Sequence, residues 1–85
     1  MEVIYTTKFL KLYKKIPTKI KILAEKKENI FRSNNTDPRL KTHGLTGELD
    51  GRLSFSVNYQ YRIVFKYGDD GNIYFLAIGT HDIYK

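Results

Sequence analysis

The 85-residue chain has no cysteine. That excludes a disulfide framework and a thiolate metal site, and it fits a reducing cytoplasm. Histidine is scarce as well. His43 and His81 lie too far apart for metal-ligand spacing, so neither a zinc centre nor any other cofactor is expected. No apolar run approaches the roughly 20 residues needed to span a bilayer. The N-terminus lacks a signal-peptide pattern, and no membrane association is expected. No glycine-rich loop leads into a helix, which argues against nucleotide hydrolysis. The strand serines have no paired histidine and carboxylate, so a hydrolytic triad is not expected either. There is no internal repeat and no low-complexity tract.

What is present is a core and a localised charge. The chain is 41% hydrophobic and 14% aromatic, which supports a packed interior. Its length fits one domain over residues 1–85, burying roughly 60–65% of its unfolded surface. The formal net charge is +6, and residues 8–32 carry nine basic and two acidic side chains. The remainder is close to neutral, so the excess belongs to one segment. A polyanion such as nucleic acid would meet that charge, and a solvated lysine-rich helix face accounts for it equally well.

The hydrophobic pattern changes period along the chain. Glu2 to Tyr5 reads as a short strand. Thr6 or Thr7 can cap a first helix with Phe9, Leu10, Tyr13 and Ile16 at helical spacing. Pro17 ends that helix and opens a second. There Ile20, Leu23 with Ala24, Lys27, and Ile30 with Phe31 mark one face, and lysines fill the other. Residues 33–51 have loop chemistry, and a connection of that length in a compact domain is often functional. Its end, Leu45 to Leu49, is a candidate for brief pairing with the sheet.

Leu53, Phe55, Val57 and Tyr59 then alternate with polar residues, as do Tyr61, Ile63, Phe65 and Tyr67. An odd-length connection puts both apolar sets on one face. A three-residue link at Tyr59–Tyr61 would set Asn58 opposite Arg62 and Ser56 opposite Val64. Gly68 to Asn72 is a turn into a final apolar strand, Ile73 to Ile78. The expected architecture is α+β in the order β-α-α-β-β-β: an antiparallel sheet with a two-helix hairpin packed on one face.

The face away from the helices then carries Arg52, Ser54, Ser56, Arg62 and Lys66, with His81 and the 37–51 loop at its rim. RNA strand cleavage needs a base for the 2′-OH, cations for the crowded phosphate, and an acid for the leaving 5′-oxygen. Arg62 sits mid-strand among aromatics, so it requires an anion or a carboxylate such as Glu48 or Asp50. His81, past the end of the last strand, is either a proton handler near neutral pH or a solvent-exposed histidine without a role. His43, in the glycine-rich loop, is either a second proton handler or a local hydrogen-bonding residue. Tyr84 can stack on a base, donate to phosphate, or pack on a helix. Lys41 and Arg52 are candidate phosphate contacts, with simple surface solvation as the alternative for each.

Leu40 to Gly47, Gly51 to Val57, Tyr61-Arg62-Ile63-Val64-Phe65 and Gly79-Thr80-His81 together resemble the RelE/ParE toxin superfamily, nearest its RelE- and YafQ-like mRNA interferases. The resemblance covers nearly the whole chain. It implies a ribosome-dependent endoribonuclease of a bacterial type II toxin–antitoxin system, silenced in a hetero-oligomer by a cognate antitoxin protein. By the same resemblance Arg62 matches the phosphate-stabilising arginine, His81 the C-terminal catalytic histidine, and Tyr84 the terminal aromatic. His43 matches the loop histidine of the YafQ-like branch. Two positions depart: Ser56 and Gln60 stand where that branch has a histidine and an aspartate. Pro38, preceded by Asp37, stands where YoeB-like relatives have a glutamate. The general base is thus open among His43, Asp37 and Glu48, with activation of the 2′-OH mainly by positioning as the alternative. The superfamily also contains gyrase inhibitors, and catalytically inactive antitoxin-binding homologues are a further alternative.

Overall fold

The computed structural model describes residues 2–47 and 51–80. The sequence begins with β1 (Val3–Tyr5), followed by α1 (Thr7–Lys14) and α2 (Thr18–Ser33). A 3-10 turn (Pro38–Leu40) precedes β2 (His43–Gly44), β3 (Leu53–Ser56), β4 (Arg62–Tyr67) and β5 (Ile73–Gly79). The strands form one five-stranded sheet in the order β1-β5-β4-β3-β2.

Local chemistry sets the helix boundaries. The Thr6 hydroxyl accepts from the Phe9 N–H at 3.2 Å and donates to the Phe75 carbonyl at 2.8 Å. One side chain thus caps α1 and fastens it to β5. Pro17 is the N-cap of α2, an extended residue whose carbonyl accepts from Ile20 and Lys21. The helices bury Phe9, Ala24 and Phe31 against the sheet. Phe31 is fully buried at the centre of an aromatic cluster. Its ring stacks on Phe55 at 5.0 Å and meets Phe65 and Phe75 edge-on at 5.0 and 5.6 Å. Burial of such a ring contributes about 1.5–3 kcal/mol, and each well-placed aromatic pair about 0.5–1.5 kcal/mol more.

The α+β architecture and the helical hairpin on one face agree with the reading of the sequence, and three details differ. The sheet is mixed rather than antiparallel, because β1 runs parallel to β5, with Val3 opposite Ile73 and Tyr5 opposite Phe75. The chain leaves β1 through both helices and reaches β5 only after β2, β3 and β4, so no tight turn imposes an antiparallel pair, and hydrophobic periodicity carries no strand direction. The loop pairs with β3 earlier than expected, through His43–Gly44, and the Leu45 N–H continues the contact with a bond to the Arg52 carbonyl at 2.9 Å; of Leu45 to Leu49 only 45–47 are described.

The β3–β4 register is also displaced by two residues. Ser56 faces Arg62 and Ser54 faces Val64, so five residues, 57–61, make the connection. Parity is preserved, so the apolar sets keep their face, while every cross-strand partner changes. The longer connection arises because the Asn58 side chain closes the turn. Its Oδ1 accepts from the N–H groups of Gln60 and Tyr61 at 2.9 and 2.8 Å, and the Val57 N–H bonds the Tyr61 carbonyl at 2.9 Å. A further irregularity lies between β4 and β5, where Val64 pairs with Ala77 but Phe65 pairs with Phe75. Leu76 is the extra residue of this bulge, which lets both Phe75 and Ile78 join the core.

Candidate functional site

The displaced register brings Ser56 beside Arg62. The Ser56 hydroxyl donates to the Asn58 carbonyl at 2.8 Å and accepts from Arg62 Nη1 at 2.8 Å. Nη1 also donates to the Asn58 carbonyl at 3.0 Å. Both protons of Nη1 are thereby used to fix the guanidinium. The three N–H groups on Nε and Nη2 have no partner among the described residues. Across the sheet Arg62 is paired with Gly79, which has no side chain to cover it. Among the described residues no carboxylate pairs with Arg62. A partly buried guanidinium held this way presents a planar fork suited to two oxygens of a carboxylate or phosphate.

A cavity of about 340 Å³ opens beside it, lined by Lys27, Arg39, Lys41 and Arg62 with Ser56, Asn58 and Tyr59. The 3-10 turn supplies two of these cations. Leu40 is fully buried and anchors the turn against α2 and β3. Asp37 caps it, accepting from the Arg39 N–H at 2.9 Å. The same carboxylate grips the Arg39 guanidinium, with Nε at 3.0 Å and Nη2 at 2.9 Å. Lys41 leaves the turn with φ at 51°, a left-handed conformation that is costly for a residue with a Cβ. Lys27 reaches in from α2 and donates from Nζ to the Arg39 carbonyl at 3.0 Å.

These contacts fix the local electrostatics. The side-chain and backbone hydrogen bonds from Arg39 lower the Asp37 carboxyl from 3.8 to about 2. Asp37 is therefore ionised and neutralises Arg39 locally. The cavity presents three effective positive charges, from Lys27, Lys41 and Arg62. A carboxylate so stabilised by its partner is a poor proton acceptor, which removes the physical basis for Asp37 as a general base.

The other sequence candidates occupy varied positions. His43 pairs with Ser54 and so shares a face with it, and with Ser56 and Arg62. Its ring is exposed, with long contacts from Nδ1 to the Lys41 carbonyl (3.4 Å) and from Nε2 to Ser54 Oγ (3.5 Å). Ser54 is fully buried and Ser56 nearly so, whereas Arg52 is exposed, its carbonyl accepting from the Leu45 N–H. Lys66 lies toward the far end of β4, over the Tyr74 ring at 5.9 Å. It lines a separate cavity of about 430 Å³ with Asp69 and Asp70, whose carboxylates would repel phosphate. His81 and Tyr84, and the alternatives Glu48 and Asp50, lie outside the described residues.

Lys27, Arg39, Asn58 and Tyr59 were not among the sequence candidates. Lys27 carried a readable signal, a charge interrupting the inward stripe between Leu23–Ala24 and Ile30–Phe31. Arg39 carried a weaker one, following an Asp-Pro pair of the kind that caps a turn. Tyr59 was read as a member of the apolar face of β3. The turn instead leaves it 93% exposed.

Together these features define a small basic α+β protein with a cationic pocket beside the β3–β4 connection, lined from α2, the 3-10 turn and the two strands. Its fold is that of the RelE/ParE toxin superfamily. The structure superimposes on a YoeB/ParE toxin from Agrobacterium tumefaciens with a TM-score of 0.70 at 18% identity, covering 95% of this chain and 99% of that one. It matches a chain of the RelBE2 toxin–antitoxin complex from Mycobacterium tuberculosis with a TM-score of 0.66 at 25% identity, covering 94% and 96%. A chain of the E. coli DinJ–YafQ complex matches with a TM-score of 0.67 at 20% identity, covering 96% and 94%. No protein-family profile and no curated protein sequence matches the chain.

Proposed function

We propose that this chain, as one domain over 1–85, is the toxin of a type II toxin–antitoxin pair. In this reading it acts in the cytoplasm as a ribosome-dependent, metal-independent mRNA endoribonuclease. The observation that carries the proposal is the cationic cavity around Arg62. Three guanidinium N–H groups and two ammonium groups meet in a cavity that, among the described residues, no carboxylate lines. A phosphodiester gains negative charge as it becomes five-coordinate, and fixed cations stabilise that state more than the ground state. In the reaction the 2′-oxygen attacks phosphorus and loses its proton to a base. The P–O5′ bond breaks, and O5′ takes a proton from an acid. The products are a 2′,3′-cyclic phosphate and a 5′-hydroxyl.

The roles follow from placement and from the resemblance of the sequence. Arg62 stabilises the transition state, Ser56 positions Arg62, and Lys27 and Lys41 hold the phosphate. Arg52 is a rim contact. His81 serves as the C-terminal proton-transfer residue and Tyr84 orients base or phosphate. His43, on the same face as Arg62, is the second proton-transfer candidate. The lysines of α1 and α2 meet ribosomal RNA. Two of the similar structures are described as toxin–antitoxin complexes, which supports an antitoxin partner for this chain.

The test is induction of wild type, Arg62→Ala and His81→Ala in cells, with mapping of mRNA 5′ ends and measurement of plasmid supercoiling. New mRNA ends are expected with wild type and lost in both variants. Intact mRNA with altered supercoiling would replace the nuclease reading with inhibition of DNA gyrase.

A further inference from the structure

Tyr59 is the most exposed large hydrophobic side chain among the described residues, at 93%. An aromatic ring left in water forgoes the stabilisation that burial would bring. The turn that displays it is nevertheless well built. Asn58 Oδ1 accepts from two successive backbone N–H groups, and Val57 and Tyr61 close the backbone behind it. The ring is therefore held out by an ordered turn and does not hang on a slack loop. It lines the cationic cavity and also an adjoining cavity of about 360 Å³, whose other walls are Gln60, Arg62 and Thr80. That volume lies within the range of small-ligand pockets, roughly 300–1,000 Å³. No carboxylate or ammonium group lines this second cavity among the described residues. The Gln60 carboxamide, a donor and an acceptor side by side, has no hydrogen-bond partner among them.

Arg62 and Tyr59 are common to both cavities, so one nucleotide can place its phosphate in the first and its base in the second. We propose that the Tyr59–Gln60–Thr80 cavity is a nucleobase subsite for single-stranded RNA, in which one unstacked base lies on the Tyr59 ring and Gln60 reads its edge. Stacking on an aromatic platform tolerates any base, whereas a carboxamide discriminates by its donor–acceptor pattern. Tyr59 therefore sets affinity and Gln60 sets preference. This inference rests on the RNA-directed reading of the Arg62 cavity and adds the part of the substrate other than phosphate.

The experiment is fluorescence anisotropy of the full chain with short 2′-O-methyl RNA, which cannot be cleaved through the 2′-oxygen. The same backbone made abasic is measured beside it. Tyr59→Ala should weaken binding of the base-bearing oligomer about tenfold, at the centre of the range for one aromatic–base stack, and leave the abasic one unchanged. Tyr59→Phe should bind like wild type. Across oligomers differing in one base, Gln60→Ala should flatten the order of preference. Equal loss on both oligomers, or no loss on either, with Tyr59→Ala overturns the subsite. If Lys41→Ala still weakens both oligomers, the phosphate-directed reading survives that failure. If Lys41→Ala also has no effect, both fall. Tyr59→Ala that releases an antitoxin protein while leaving RNA binding intact would assign the ring to a protein interface and overturn the proposal.

Discussion

The charge count at the Arg62 cavity leads to a measurable salt dependence. Lys27, Lys41 and Arg62 are free to neutralise phosphate, whereas Arg39 is already paired with Asp37 at 2.9 Å. Binding of single-stranded RNA weakens with salt with a log–log slope of about −0.7 for each phosphate neutralised. Three contacts give a slope of about −2.1, or roughly a 20-fold loss of affinity between about 50 and 200 mM salt. Lys41→Ala should reduce the slope to about −1.4 and the loss to roughly 7-fold. The opposite perturbation is more discriminating. Asp37→Asn keeps a residue that can cap the 3-10 turn but releases the Arg39 guanidinium. Binding should then tighten and the slope steepen to about −2.8. Anisotropy titrations with short 2′-O-methyl RNA across a salt series measure all three slopes. A slope unmoved by both Lys41→Ala and Asp37→Asn would refute the account of this cavity as a phosphate site with three free charges.

Further outcomes follow from the same geometry. Phe31→Ala removes the ring at the centre of the aromatic cluster and should cost about 3–5 kcal/mol in urea unfolding, much of the stability of a domain this small. A loss below about 1 kcal/mol would contradict the packing described. The Asp37 carboxyl is held at about 2 in the folded chain against an ordinary 3.8. Its contribution to stability is thus present above about 3.8 and fades as pH falls through about 2. The carboxyl carbon, followed by NMR, should titrate near the lower value in wild type and move upward in Arg39→Gln. Lys41→Gly should raise stability by up to about 1 kcal/mol, by relieving the left-handed backbone at φ 51°, while weakening RNA binding. Loss of stability in that variant would show that the Lys41 side chain contributes to the fold itself.

The parts of the site that were legible in the sequence are those that depend on chain-local chemistry. Arg62 stood out as a guanidinium read mid-strand among aromatics; the structure instead puts it at the first position of β4, half-buried and held by Ser56 and Asn58. Lys41 was accessible as a basic residue in a loop. Lys27 was present in the pattern as a break in an apolar stripe, and its meaning depended on where the far side of α2 comes to rest. Arg39 was legible only as part of a turn after the Asp-Pro pair, and its charge is cancelled by a carboxylate two residues earlier. Alternation carries the strand beyond Ser56 and counts Tyr59 with its apolar set, even though the expected three-residue link also begins there. The Asn58 side chain ends that alternation by hydrogen bonds that periodicity does not register.

By itself the sequence determined the α+β class, the helical hairpin with a threonine cap at Thr6 or Thr7, the face each strand buries and the candidacy of Arg62. Each of these follows from side-chain spacing and local hydrogen-bonding capacity. Tertiary structure decided the direction of β1, the two-residue displacement of β3 against β4, and the bulge at Leu76. Above all, it decided the convergence of Lys27, Lys41 and Arg62 from a helix, a turn and a strand. A register shift of two leaves hydrophobic parity unchanged and is invisible to it. Yet it is what seats Ser56 against Arg62 and leaves the remaining guanidinium protons without a partner among the described residues.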